Sequence, residues 1–310
     1  MRLVSYGERG RERAALWLDL PTGEAGAVDV ARASEWLGLE PRLPSDPQDL
    51  LRQGLLGPAA ELARRLEQRL ASAGTAGLPA GVYHPRGSVR LGPPVPRPPQ
   101  MVCLGLNYRD HAREQGKEPP SRPLLFAKSP AAVIGPEDEI QLEPELEQVD
   151  YELELGVVIG REASRIRAAE ALDHVAGYTI FLDISDREAQ YSDKQWYRGK
   201  SHDTFAPCGP WLTAAARVAD PGRLAMELRV NGEVRQHSST AEMIFSVPEI
   251  LAYITRTITL QPGDLVATGT PAGVGVFRQP PVFLRPGDLL QARIEGLGEL
   301  ETRVALRPRG

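Results

Sequence analysis

The chain has 310 residues, 42% of them hydrophobic and 25% charged, with a formal net charge of −5. This composition is ordinary for a globular protein, and the length suits one large domain or two unequal ones. The slight negative charge gives no field that would hold nucleic acid or an anionic membrane, and no apolar run approaches the roughly 20 residues that span a bilayer. With two cysteines and no signal-peptide core at the start, we expect a cytoplasmic protein.

The first part of the chain mixes strand-like runs with helices. The strand-like runs cover residues 2–6, 14–20 and 27–30. Asp46-Pro47 is typical of a helix start, because a capping side chain precedes a proline whose missing N–H costs nothing there. Leucines at 62, 66 and 70 form the i,i+4 stripe of a helix over residues 58–73.

A proline-rich linker follows. Five prolines between residues 93 and 99 exclude both a helix and a central strand. We therefore predict a boundary between a small N-terminal α+β domain, residues 1–95, and a larger domain, residues 96–310.

The larger domain is dominated by β-like runs. They recur at residues 101–106, 151–159, 176–183, 225–230, 264–268 and 289–294. Asn231-Gly232 is a strong signal for a two-residue hairpin turn. The pattern predicts an α+β, β-rich fold of packed or rolled sheets rather than alternating βαβ units.

Two carboxylates within one predicted strand, residues 149–160, suggest a metal site. Glu152 and Glu154 are two residues apart and share a face. Their repulsion in an apolar setting can be offset by a hard divalent cation, so we consider Mg²⁺, Mn²⁺ or Ca²⁺. Asp183, at the end of another strand-like run, is the candidate third ligand, and Lys200 could balance the excess negative charge. The alternative is a pair of glutamates on a solvent-exposed strand face.

A His–Glu pair is the second candidate. If the segment after residue 108 is helical, His111 and Glu114 are neighbours on one face. A carboxylate bonded to one imidazole nitrogen leaves the other nitrogen as a base. An ordinary surface ion pair is the alternative interpretation.

A glycine-rich loop over residues 268–275 is the third candidate. Its backbone can approach a ligand closely, and Thr270 could offer hydroxyl and amide donors to an oxyanion. No Gly-Lys-Ser/Thr follows, which excludes a phosphate loop. A purely structural turn is the alternative.

Seven segments, in order over roughly residues 100–305, resemble the fumarylacetoacetate hydrolase family. They are GLNYRDHAREQG, FAKSPAAVIGPEDEI, DYELELGVVIG, HVAGYTIFLDISDRE, GKSHDTFAPCGPW, LQPGDLVATGTPAGVG and VFLRPGDLLQARIEGLGEL. The opening MRLVSY and the stretch GTPAGVGVFRQPPVFLRPGD look like its two-domain subgroup. The resemblance implies a mixed β-sandwich roll for the larger domain, and a homodimer.

The resemblance also implies roles for particular residues. The metal ligands would be Glu152, Glu154 and Asp183, with Lys200 beside the metal. The pair His111 and Glu114 would activate water on a short lid helix. The substrate contacts would be Gln190 and Thr270, with Arg109 and Lys128 as further contacts. Where many relatives have Ser-Ala-Arg-Asp, this chain has Ser185-Asp186-Arg187-Glu188, which would place the extra carboxylate of Asp186 near the pocket rim.

From these parts we expect a metal-dependent hydrolase that cleaves a C–C bond in a β-diketo acid of the acylpyruvate or fumarylacetoacetate type, through an enolate that the metal stabilises. The same site could instead serve an oxaloacetate tautomerase or decarboxylase, or a 2-hydroxyhepta-2,4-diene-1,7-dioate isomerase. A protein of another class, a non-catalytic Ca²⁺-stabilised binding protein, would not need the His–Glu pair or Lys200.

Overall fold

The computed structural model describes residues 1–308 and confirms the predicted β-rich α+β architecture. The strands, β1 to β19 in chain order, are Arg2–Tyr6, Arg13–Asp19, Ala25–Asp29, Tyr83–Pro85, Leu91–Gly92, Met101–Gly105, Leu124–Lys128, Val133–Ile134, Ile140–Leu142, Val149–Asp150, Leu153–Ile159, Val175–Leu182, Ser185–Asp186, Ala206–Ala214, Ala225–Val230, Glu233–Ser239, Leu265–Ala267, Leu289–Ile294 and Gly298–Leu306. The helices, α1 to α7, are Val30–Trp36, Pro47–Arg52, Leu56–Ala73, Arg109–Glu114, Arg187–Ser192, Tyr197–Lys200 and Val247–Ile254. Among the described residues, none of these helices is both long and apolar enough to cross a membrane.

One large mixed sheet runs through most of the molecule. Its order is β4-β3-β2-β1-β14-β12-β11-β17-β6-β7, with β5 beside β1 and β8 beside β14. Strand β1 pairs antiparallel with β14, with Leu3 opposite Leu212. The N-terminal strands therefore extend the sheet of the larger segment. A second sheet has the order β16-β15-β18-β19-β9.

Strand β11 is buried on both faces. Leu153, Leu155 and Val157 belong to a core that also contains Leu228 of the second sheet. Val158 belongs to the other core, which contains the buried leucines of helix α3. The continuous apolar second half of this strand is explained by that double burial, since neither face meets water.

Two local predictions hold in detail. Helix α2 begins with Asp46 as its cap, and the side chain accepts a hydrogen bond from the backbone of the second helical residue, with Pro47 at the first position. Asn231 and Gly232, with φ angles of 54° and 80°, connect the antiparallel strands β15 and β16. Positive φ at both positions is the turn geometry that matches the twist of a hairpin.

The strand predicted over residues 149–160 is interrupted. Strand β10 pairs with β13, whereas β11 pairs with β12, so the chain changes partner at Tyr151 and Glu152. Asp150, at the end of β10, accepts hydrogen bonds from the amides of Gly275 and Val276, which lie far along the chain. The break places Glu152 just ahead of β11 rather than within a regular strand.

The proline-rich linker packs against both segments. Residues 93–99 form neither helix nor strand, and Val95 is fully buried in the same core as Leu16 and Phe181. The sheet and this core both contain residues from either side of the linker. The division into residues 1–95 and 96–310 stays a prediction.

The shared core generates a stability prediction. Leu16 is fully buried, so Leu16→Ala should lower the free energy of unfolding by about 2–5 kcal/mol, measured by urea denaturation. Leu306, which is 54% exposed, supplies the matched control, and Leu306→Ala should change it by no more than about 0.5 kcal/mol. Equal stability of the two variants would contradict the described core.

Candidate active site

Three carboxylates meet where strands β11 and β12 lie side by side. The register that puts Leu153 opposite Leu182 brings Asp183 beside Glu152, and the Asp183 amide donates to the Glu152 carbonyl at 2.8 Å. Glu154 follows on the same side as Glu152. All three side chains are buried, and one ligand oxygen of each lies within 4.8 Å of the others.

Three buried cations surround this cluster. The Lys200 ammonium donates to Glu152 and Asp183, at 2.6 Å in each case. Lys128 donates to the other oxygen of Asp183 at 2.6 Å, and Arg187 donates to Glu152 at 2.7 Å. Burial would lower the pKa of Lys200, but the charges of Asp183 and Glu152 outweigh burial and raise it. Lys200 therefore stays charged.

Glu154 is the carboxylate left without a cation. Among residues 1–308 it makes no ion pair, and its hydrogen bond comes from the amide of Gly269 at 2.7 Å. Burial, then the charges of Asp183 and Glu152, raise the pKa of Glu154 well above its usual range. Burial would also raise the pKa of Glu152, but Lys200 and Arg187 outweigh it and lower that pKa. The cluster therefore has a place for one further positive charge beside Glu154.

The donor set fits a divalent ion that prefers oxygen. Carboxylate oxygens are the ligands of Mg²⁺, Mn²⁺ and Ca²⁺, and the cluster holds no histidine or thiol that would favour a softer metal. The observation that supports this fit is Glu154, a buried carboxyl group with no ion-pair partner among residues 1–308.

His111 lies on helix α4 with both ring nitrogens engaged. Its Nδ1 lies 2.8 Å from Glu114 Oε2, and the Gln115 amide nitrogen lies 2.7 Å from Nε2. Since the nitrogen of the Gln115 side-chain amide can only donate, Nε2 accepts and Nδ1–H donates to Glu114. The other Glu114 oxygen accepts from the Gly273 amide at 2.9 Å. The helix and the glycine-rich loop are thus joined through one carboxylate.

The glycine-rich loop closes over the strand ends. Gly273 has a φ of 106°, and a Cβ there would lie 2.1 Å from the Arg235 carbonyl oxygen, so the position requires glycine. Thr270 Oγ1 donates to the Leu153 carbonyl at 3.0 Å and accepts from Gln236 at 2.8 Å. Its hydroxyl is therefore committed to the protein, and the expected hydroxyl donor to an oxyanion is not available. The Thr270 amide remains a candidate donor.

These groups surround a cavity of about 390 Å³. The predicted residues that line it are His111, Glu152, Glu154, Gln190, Lys200 and Thr270. Glu114 reaches the cavity through His111, and Asp183 through its contact with Lys200. A cavity of this size is typical of small-molecule sites.

Two predicted substrate contacts are not brought to the cavity. Arg109 is exposed, its guanidinium donates to the Met243 carbonyl at 2.5 Å, and it does not line the cavity. Lys128 is buried, and its ammonium is bound by Asp183 and, at 3.1 Å, by the Ile184 carbonyl. Lys128 thus neutralises the carboxylate cluster instead of facing a substrate.

Asp186 also lies elsewhere than expected. Its side chain caps helix α5 by accepting from the Ala189 amide, and it lies 3.2 Å from the His202 ring. It is absent from the described cavity lining, so it adds no charge to the rim. The cause is local: the residue that precedes a helix is favoured to turn its carboxylate back onto the helix amides.

The sequence analysis missed Arg187, Asp150 and Gln115. Arg187 donates to Asp150 at 2.8 Å and 2.9 Å, besides its bond to Glu152. Gln115 lies next to Glu114 and could have been found, since a position four residues after His111 shares its helix face. The Arg187–Asp150 pair had no local signal, because 37 residues separate the partners.

The fold and the site bring a buried acidic cluster and an imidazole together around one cavity. The family model described as fumarylacetoacetate (FAA) hydrolase C-terminal matches residues 100–305. The chain belongs to the fumarylacetoacetate hydrolase family, as the sequence motifs predicted.

Relatives of this chain have several activities. It is 42% identical over 306 residues to the mitochondrial oxaloacetate tautomerase FAHD2A of Homo sapiens, covering 98% of this chain and 91% of the relative. It is 46% identical over 220 residues to the oxaloacetate tautomerase YisK of Bacillus subtilis, covering 70% and 73%. Two solved structures are similar over 99–100% of both chains, each at 32% identity. One is a fumarylacetoacetate hydrolase from Exiguobacterium antarcticum, with a TM-score of 0.77. The other is a 2-hydroxyhepta-2,4-diene-1,7-dioate isomerase from Mycobacterium marinum, with a TM-score of 0.73.

Replacing the Glu154 carboxyl group tests the metal site. In wild-type protein, Mn²⁺ at one hundred times its Kd should stabilise the fold by about 2.7 kcal/mol, seen as a rise in Tm. Glu154→Gln should weaken Mn²⁺ binding by roughly 100-fold or more and lose that rise, while the Tm without metal does not fall. Glu301→Gln, at an exposed position of β19, is the control and should keep the rise. An unchanged Mn²⁺ affinity in Glu154→Gln would exclude Glu154 as a ligand.

Proposed function

We propose that this enzyme interconverts the enol and keto forms of oxaloacetate, with a divalent cation held by Glu152, Glu154 and Asp183. The supporting observation is the 42% identity to a human oxaloacetate tautomerase over almost the whole chain. The expected hydrolase activity has support only at the level of the family and of more distant structural relatives. The alternative activity named from the sequence is therefore the better supported one.

Conversion of the enol to the keto form breaks the O–H bond at C2 and forms a C–H bond at C3. The reaction has no leaving group and no net oxidation. It needs a group that moves a proton and a positive environment for the charge that develops on the oxygen. A divalent cation at the acidic cluster would supply Lewis acidity toward the 2-oxo group.

The residues of the chain supply the other requirements. Lys200 places a fixed positive charge at the cavity wall, held by two carboxylates. Arg187 donates to the side-chain oxygen of Gln190 at 2.8 Å, which leaves the Gln190 amide nitrogen free to donate to a substrate oxygen. Both polar groups line the same cavity and suit a substrate with several carboxylate and oxo oxygens.

His111 is the candidate for proton transfer. The Nδ1–H bond to Glu114 fixes the tautomer whose basic nitrogen is Nε2. Nε2 is held by Gln115 in this structure, so the substrate must displace that amide before a proton reaches the ring. The same pair could activate water, which keeps hydrolysis of a β-diketo acid as a second candidate function.

Three further expectations stay predictions. They are Mg²⁺ as the bound ion, a homodimer, and a cytoplasmic location. The human relative is described as mitochondrial, which does not bear on this chain directly.

Loss of the imidazole should remove catalysis and leave the metal site intact. With Mg²⁺ present, His111→Ala should lower kcat for oxaloacetate enol decay by about 10²- to 10⁴-fold, followed by ultraviolet absorbance after subtraction of the uncatalysed rate. Its Mn²⁺ affinity should match that of wild type, because the imidazole is not among the acidic ligands. His237→Ala, at an exposed ring, is the matched control. Wild-type turnover by His111→Ala would refute the assignment.

A substrate panel separates the candidate reactions. Oxaloacetate enol should disappear in a Mg²⁺-dependent reaction without release of pyruvate, and EDTA should abolish the acceleration. Acylpyruvates should release pyruvate at least roughly ten-fold more slowly than the enol decays, as a coupled lactate dehydrogenase assay would show. Faster pyruvate release from an acylpyruvate would favour the hydrolase instead.

A further inference from the structure

One wall of the cavity is apolar and built by three side chains. In the pairing of β6 with β7, Gly105 lies opposite Leu124, and Leu124 and Phe126 point to the same side of the strand. Trp196 packs edge-on against Phe126, with ring centroids 5.1 Å apart and planes at 68°. A Cβ at Gly105 would lie 2.7 Å from the Trp196 ring, so the absence of a side chain there makes room for the indole. We call Leu124, Phe126 and Trp196 the apolar wall.

The apolar wall is continuous with the charged site. The Lys200 ammonium lies 5.2 Å from the centroid of the Phe126 ring. All three wall residues line the same cavity as Glu152 and Glu154. The wall therefore begins beside Lys200 and leads to Leu124, which is 47% exposed.

Oxaloacetate has no apolar group that matches this wall. That substrate is a small dianion with a single methylene group between polar carbons, and it offers no apolar face. Apolar side chains that stay in contact with water are less favourable than apolar side chains that a ligand covers. A cavity of about 390 Å³ also leaves space beyond a four-carbon diacid.

We propose that the enzyme also exchanges the enol and keto forms of arylpyruvates, 2-oxo acids that carry a flat aromatic group on C3. This rests on the proposed function, because the carboxylate and 2-oxo group would be bound by the same residues as those of oxaloacetate. The aromatic group would lie against Phe126 and Trp196, since rings pack favourably edge-to-face or offset. In the reaction the enol O–H bond breaks, the C2–O double bond forms, and C3 gains a proton, with no oxidant and no leaving group.

The test compares two substrates across variants of the wall. Mg²⁺-loaded wild-type enzyme should accelerate the decay of phenylpyruvate enol, followed by ultraviolet absorbance, and phenylpyruvate should inhibit oxaloacetate turnover competitively. Trp196→Ala and Leu124→Ala should each lower kcat/KM for phenylpyruvate relative to that for oxaloacetate by roughly ten-fold. Leu124 is half-exposed, so its replacement preserves the fold even if Trp196→Ala does not. Tyr197→Ala, at the exposed neighbouring residue, should leave the ratio unchanged.

The outcomes separate this inference from the proposed function. Oxaloacetate turnover without phenylpyruvate turnover would overturn the inference alone, whether or not phenylpyruvate inhibits. Equal losses for both substrates in Leu124→Ala would also overturn it. If wild-type enzyme does not act on oxaloacetate, the proposed function fails. Calorimetric titration of phenylpyruvate into the Mn²⁺-loaded protein then tests whether the apolar wall binds the aromatic group. A loss of affinity in Leu124→Ala would support that contact.

Discussion

The three carboxylates buried at the ends of β11 and β12 govern the arrangement of the site. Moving each ion out of water costs several kcal/mol, so every buried carboxylate needs a partner. The partners come from separate elements: Lys128 from β7, Arg187 from α5 and Lys200 from α6. The order of the large sheet and the position of two short helices are therefore both required to hold the acidic cluster together. One carboxylate remains for an external cation.

The imidazole side of the cavity is organised by a second shared carboxylate. Glu114 bonds to His111 with one oxygen and to the Gly273 amide with the other. The base, its helix and the glycine-rich loop thus keep a common position, although they are distant in sequence. Asp150 acts in a similar way, because it binds both Arg187 and the Gly275 amide. Two carboxylates that also contact site residues therefore hold the C-terminal end of the loop, at Gly273 and Gly275.

The acidic cluster could be predicted because its signal is local. Alternation along a strand placed Glu152 and Glu154 together, and Asp183 ended a recognisable apolar run. The break between β10 and β11 could not be predicted, because it depends on pairing with a strand that comes later in the sequence. For the same reason the hydrogen bond from Arg187 to Glu152, across 35 residues, was missed.

Local sequence patterns also could not predict which partners the charged ends of long side chains bind. Arg109 begins helix α4 and Lys128 ends strand β7. The Arg109 guanidinium binds the Met243 carbonyl, however, and the Lys128 ammonium binds Asp183 of the acidic cluster. The backbone position of such residues follows from the sequence, whereas the direction of a flexible side chain depends on the charges that surround it.

The pairing of β1 with β14 has a consequence for the larger segment taken alone. Without β1, the backbone around Leu212 would present unpaired N–H and C=O groups along an open sheet edge. Phe181 and Cys208, which lie in the core shared with the N-terminal helices, would be uncovered as well. Such an edge invites pairing with another chain. A shorter protein with the same large sheet would need a substitute for these strands. In this chain, the N-terminal strands protect the sheet edge from aggregation.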